Sequence, residues 1–173
     1  MSVSVSGDVN GHGQGKSHGG PAGGAASSSA GWPANWLPLV AEAAAILSRS
    51  LGRPRWSACI EDASGARFSG VSISIDDLPA GSICAETGAL ASLRLAGGKA
   101  GARRLVLIGP PPRGAAAPCG SCLQRLLEAG GEDLEIRWGT ARRQRGAGKL
   151  SDLLPEAFVE FRPQSRRRSR GGA

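Results

Sequence analysis

The order in which the hydrophobic period changes along the chain constrains the fold more than any single residue. Trp36, Leu39, Val40, Ala43, Ile46 and Leu47 recur at helical spacing, which predicts an amphipathic helix ended by Gly52 and Pro54. Residues 56–60 then read as a strand. Ser64-Gly65 turns the chain into a second strand over residues 67–75, with Phe68, Val71, Ile73 and Ile75 prominent, so a hairpin is expected. A loop over residues 78–81 leads to a helix over residues 84–96, closed by Gly97-Gly98. Leu105-Val106-Leu107-Ile108 is a short continuous apolar run bounded by turn signals, as a buried strand is. The Pro and Gly cluster of residues 109–118 must be loop, residues 120–129 predict another helix, and residues 134–138 alternate like a half-buried strand. Helix, hairpin, helix, strand, helix and strand predict an α/β sandwich whose sheet is mixed.

This body lies between two stretches of different composition. Residues 1–31 are mostly Gly, Ser and Ala and cannot bury enough apolar surface to offset the entropy of ordering, so a disordered tail is expected. Residues 164–173 read as a second disordered tail, basic through Arg166, Arg167, Arg168 and Arg170, which leaves residues 32–163 as one domain. Gly13-Gln14-Gly15-Lys16-Ser17 is not a phosphate loop, because Asn10 stands where that pattern needs glycine. His12 and His18, in the same tail, read as incidental. With aromatics at 4% and no Tyr, the core must be built from Ala, Leu, Val and Ile.

The formal charge of +7 raises the question of a polyanion partner. Five of the 21 basic residues and one of the 14 acidic residues lie in the tails, so the tails supply four of these charges and the body keeps three. That value, with few aromatics for stacking, predicts that nucleic acid is not a partner. No apolar run approaches the roughly 20 residues of a membrane span, and a soluble cytoplasmic protein is expected.

Three of the four cysteines carry the chemistry. Cys119 and Cys122 form a C-x-x-C at a helix start, where exposed N–H groups and the helix dipole favour the thiolate that metal binding needs. Cys84, at the start of the other helix, supplies a third ligand. Three protein ligands leave a fourth tetrahedral position open, as in a catalytic zinc site. A disulfide suits an oxidising compartment, and a thioredoxin-like pair would leave Cys84 without a role. Glu86, two positions after Cys84, can aim a carboxylate at the open position and carry a proton there. Cys59, on a strand, reads as a small buried hydrophobe.

Cys84-Ala85-Glu86 followed by Pro118-Cys119-Gly120-Ser121-Cys122 resembles the signature of the zinc nucleoside deaminases, in the three-cysteine form of small cytidine deaminases. The hairpin ending at Phe68-Ser69-Gly70-Val71, Gln124, and Leu150-Ser151-Asp152-Leu153-Leu154-Pro155-Glu156-Ala157-Phe158 follow in the family order. The resemblance, over roughly residues 36–161, implies a three-layer α/β/α sandwich with a mixed sheet of about five strands. It implies zinc held by Cys84, Cys119 and Cys122, water activated for attack on C4 of a cytosine ring, and Glu86 shuttling the proton to departing ammonia. The backbone N–H of Ala85 would meet the ring carbonyl and the backbone carbonyl of Ala117 the exocyclic amine. A homo-oligomer, a tetramer by the family's habit, is also implied.

The sequence departs from that pattern in places. Ser72 and Ser74 stand where the nucleoside enzymes carry Asn and Glu for the ribose, and the family's aromatic before the first strand is replaced near Pro54, with Trp56 as a shifted substitute. Thr87 and Leu123 stand where arginines often offset the thiolates, and Arg125 is the candidate to replace them. The implied activity is hydrolytic deamination of cytidine, deoxycytidine or a related cytosine nucleoside. The alternatives are a deaminase of a modified cytosine compound such as the antibiotic blasticidin S, or a zinc-stabilised binding scaffold.

Overall fold

The computed structural model describes residues 31–49, 56–75, 81–97 and 101–158. The two tails, with His12, His18 and the Gly13–Ser17 stretch, lie outside those residues, as do Gly52, Pro54, Leu78 and Gly98. A 3-10 turn, Ala34–Trp36, leads into α1 (Leu37–Arg49), followed by β1 (Ser57–Asp62), β2 (Arg67–Val71), α2 (Ala85–Leu95), β3 (Ala102–Ile108), α3 (Gly120–Gly130), β4 (Glu135–Gly139), β5 (Gln144–Lys149) and the short α4 (Leu150–Leu153). The strands form one sheet in the order β2-β1-β3-β4-β5. Only β3 and β4 run parallel. The sheet is therefore mixed and five-stranded, as expected.

Side-chain alternation along the central strands builds the layers. Cys59, Val106 and Ile108 join Leu39, Val40 and Ala43 of α1 on one face. Ala58, Ile60, Leu105, Leu107 and Ile136 join Ala89, Leu93, Leu123, Leu126 and Leu127 of α2 and α3 on the other. Every residue of β1 is buried because helices cover both of its faces. Burying a side chain such as Leu105 or Leu107 in this way contributes about 1.5–3 kcal/mol. On the α1 face the guanidinium groups of Arg104 and Arg137 lie over the buried Trp36 ring, at 5.5 and 4.9 Å from its centroid.

The hairpin turn follows its local chemistry. Asp62 Oδ1 accepts from the backbone N–H groups of Ser64 and Ala66 at 2.8 and 3.0 Å, and Gly65 takes the φ of 86° that closes the turn. The second strand is shorter than its apolar pattern predicts. The named strand stops at Val71; beyond it the Ser72 N–H donates to the Trp56 carbonyl at 2.9 Å and an isolated bridge joins Ile73 to Ile83. There Ser72 Oγ accepts the Trp56 N–H at 3.0 Å, while Ile73, Ile75 and Ile83 stay exposed, so their alternation describes a surface and not a core.

The fifth strand lacks the apolar pattern that marks the others in the sequence. Gln-Arg-Gly-Ala-Gly-Lys pairs with β4 because Gly146 lets the backbone lie on the Trp138 indole, where a Cβ would come within 2.2 Å of Cζ2. A second close approach seats α2. A Cβ on Gly70 would come within 2.2 Å of the Ala89 backbone nitrogen and 2.6 Å of the Ala85 carbonyl oxygen. Gly70→Val is therefore expected to push α2 off β2 and to cost about 1–3 kcal/mol or more, read from chemical denaturation midpoints. An unchanged midpoint would show that α2 does not depend on this contact.

Candidate metal centre

The register places one end of the sheet beneath the site. Ser57 faces both Val71 and Ile108, and Ile108 faces Gly139, so β1 begins and β2, β3 and β4 finish at the same end. From that end the chain enters α2 at Cys84 and α3 at Cys119, each the N-cap in extended conformation with no side-chain cap hydrogen bond. Cys122 lies in the first turn of α3. The three sulfurs lie within 4.8 Å of one another. Thiolates at about 2.3 Å from one zinc ion require this kind of convergence, and three soft sulfur donors suit zinc.

The metal-free thiols differ in acidity. Desolvation, with the nearby Glu86 charge, raises the pKa of Cys84 and of Cys122. At Cys119 desolvation also acts upward, but hydrogen bonding from Cys122 and Cys84 outweighs it and the pKa falls. A bound dication would reverse the balance at Cys84 and Cys122 by favouring thiolate. Cys59 lies elsewhere, fully buried on the α1 face, where desolvation pushes its pKa up to about 12. Its place is that of a small hydrophobe, as the sequence predicts.

Glu86 is 1% exposed in the first turn of α2. Its Oε2 has no hydrogen-bond partner, and desolvation raises its pKa. An orphaned, buried carboxylate oxygen beside a three-sulfur cluster costs stability and needs a counterpart, which a metal centre with an open position supplies. Ala85 is the first residue of α2 and fully buried, so its N–H has no intrahelical acceptor. Ala117 is half-buried just before Pro118, in the loop that delivers Cys119.

The structure also locates Arg125. One turn after Cys122, its Nη1 donates to Thr87 Oγ1 at 3.4 Å, and that hydroxyl lies 3.9 Å from Cys122 Sγ. A positive charge thus reaches the sulfur cluster through threonine. Beside Cys84 a cavity of about 210 Å³ is lined by Trp56, Ser72, Ile73, Ser74, Ser82 and Ile83. The two serines and the tryptophan singled out in the sequence meet there. Ser82 had no signal in the sequence, since a single serine in a loop carries no pattern.

The fold and the site together define an α/β sandwich with a three-cysteine, metal-type centre at paired helix N-termini. Solved structures share this architecture. A mutant of the Mycobacterium tuberculosis cytidine deaminase is 27% identical, with a TM-score of 0.57 over 72% of this chain and 98% of that one. The Burkholderia pseudomallei cytidine deaminase is 26% identical, with a TM-score of 0.58 over 70% and 97%. The Mycobacterium leprae enzyme, 24% identical, superposes with a TM-score of 0.59 over 72% and 100%. No protein-family model and no curated protein matches the chain. The chain is related to the bacterial cytidine deaminases and has their fold, which places it in a superfamily of catalytic deaminases. No helix among the described residues is long and apolar enough to cross a membrane.

Proposed function

We propose that the protein is a zinc-dependent hydrolytic deaminase of a cytosine nucleoside or a close derivative. The observation that carries this reading is the buried Glu86 carboxylate, with Oε2 unpartnered beside the converged sulfurs of Cys84, Cys119 and Cys122. Zinc held by those sulfurs would supply Lewis-acid activation of water. Glu86 takes a proton from the attacking water and delivers it to N3 of the ring, then carries the second proton, from the new C4 hydroxyl, to the departing amine. The C4–O bond forms, the C4–N bond breaks, and water and the cytosine ring leave as ammonia and the uracil form. The Ala85 N–H holds the ring carbonyl, and the Ala117 carbonyl holds the exocyclic amine. Both contacts use main chain, so side-chain substitution at either residue leaves them in place. Assembly as a homo-oligomer, a tetramer by the resemblance, and a cytoplasmic location belong to the same proposal.

The cavity beside Cys84 sets the expectation for the sugar. Ser72 and Ser74 offer only short hydroxyls to the ribose, and Ser72 Oγ already accepts the Trp56 N–H. A lost charge-assisted contact costs about 1.5–3 kcal/mol, or roughly ten- to a hundredfold in kcat/KM. Zinc-loaded protein screened for ammonia release against cytidine, deoxycytidine, cytosine and sugar- or ring-altered analogues is expected to favour an altered compound. Ser72→Asn plus Ser74→Glu is expected to improve cytidine turnover. Wild-type turnover of cytidine that exceeds every analogue would overturn the assignment of this wall, and ammonia from no cytosine compound would overturn the deaminase reading.

A further inference from the structure

A net charge does not say where the charge lies, and the fold gathers the ion pairs of the described residues at one end of the sheet. The ion pairs among the described residues use Arg67, Arg104 and Lys149, which the strand register places at the end of the sheet away from the sulfur cluster. Glu61, Asp62, Asp133 and Glu135 belong to that same end. At the site end stand Arg113, Arg142, Arg143 and Arg145, all exposed and in no ion pair among the described residues. No Asp or Glu occurs in residues 109–127 or 136–151.

Close packing joins these arginines to the cavity. A Cβ on Gly109 would lie 2.7 Å from Trp56 Cδ1 and 2.6 Å from the Gly114 carbonyl carbon, so the loop bearing Arg113 abuts the cavity wall. Gly114 in turn abuts Gly139 and Thr140, where a Cβ would meet backbone and side chain at 2.7 and 2.9 Å. The Ala115 N–H donates to the Gly139 carbonyl at 2.9 Å, and Arg145 donates to the Arg113 carbonyl. At about 4.8 Å per strand, the β4–β5 turn lies roughly 10–14 Å across the sheet from Trp56 on the β1 side. Among the described residues, the cavity wall contributes the hydroxyls of Ser72, Ser74 and Ser82 and no carboxylate, while Asp76 and Asp77 lie outside the described residues.

We propose that the substrate entering beside Trp56 carries phosphate, and that Arg113, Arg142, Arg143 and Arg145 form the rim that holds it. The chemistry is that of a cytosine nucleotide, free or within a short single strand. The sequence-based expectation against nucleic acid rested on the body's net charge and its few stacking aromatics, and the placement of these arginines is the observation set against it. The inference rests on the deaminase reading for the base, and on the arginines alone for the phosphate.

The test is equilibrium binding of cytidine, cytidine 5′-monophosphate and tetracytidylate to the full zinc-loaded chain, in a Glu86→Gln background so that no probe is consumed. At least one phosphate-bearing probe is expected to bind tenfold or more tightly than cytidine, with an advantage that shrinks as salt rises. Arg142→Glu plus Arg143→Glu is expected to remove the advantage. Arg94→Glu plus Arg103→Glu, the same charge change at the opposite end, is expected to keep it. A gain for the monophosphate identifies a nucleotide substrate, and a gain for tetracytidylate alone identifies a single strand. Equal binding of all three probes, or equal losses in both double variants, would overturn the rim. Ammonia assays on wild type separate the two readings. Cytidine deamination without phosphate preference defeats only the rim, while phosphate-selective binding without deamination of any probe defeats only the enzyme.

Discussion

Glu86→Gln is expected to leave zinc content and fold intact while lowering kcat by at least about 10²–10⁴-fold, the range that a positioned proton carrier supplies. The amide has nearly the same shape as the carboxyl group and fits the same buried site at the start of α2, so packing gives no reason for loss of structure. What it lacks is a basic oxygen. The carboxylate oxygen without a partner next to the sulfurs is the atom removed from service, whereas Glu61 and Asp62, the other buried carboxylates among the described residues, are hydrogen-bonded at the opposite end of the sheet. Because the proton transfers belong to the transition state, kcat and kcat/KM should fall together while KM changes little. Elemental analysis and circular dichroism establish that the variant is folded and loaded. A folded, zinc-loaded Glu86→Gln protein that turns over at the wild-type rate would remove Glu86 from the mechanism.

The second large effect concerns the metal. Freshly purified protein is expected to contain one zinc per chain, and Cys84→Ala, Cys119→Ala and Cys122→Ala are each expected to lower that content severely. Each removes one of three sulfurs that lie within 4.8 Å of one another. A metal that binds only the folded chain stabilises it by about 2.7 kcal/mol when free zinc stands a hundredfold above Kd. In a chain of this size that corresponds to a fall of about 5–10 °C in Tm on chelation. Cys59→Ala is expected to keep its zinc, because Cys59 packs with Leu39, Val40 and Val106 on the far face of the sheet. It is expected to cost about 1 kcal/mol in packing. Metal-free native protein, or zinc that depends on Cys59, would overturn the assignment of the centre.

The parts of this molecule legible in the sequence are those that local patterns encode. Periodicity in residues 36–47 and 120–129 marks helices because the buried face recurs with the helix turn, and Ser64-Gly65 marks the hairpin because only glycine takes the positive φ without strain. The spacing of Cys119 and Cys122 brings both sulfurs to one end of α3, and Cys84 with Glu86 does the same at α2. What the sequence left open depends on contacts through space. Gln144–Lys149 is a strand because Gly146 lies on Trp138 and the backbone finds its partners in β4, and no apolar alternation announces that. Arg125 reaches Cys122 only through Thr87, from the other helix, and Trp56 meets Ser72, Ser74 and Ser82 only because β1 and β2 are paired with α2 laid across them. The arginines of the site end and the carboxylates of the opposite end alternate along the chain. Strand direction and register alone separate them, since residues distant in sequence acquire a common neighbourhood only when the sheet sets which ends lie together.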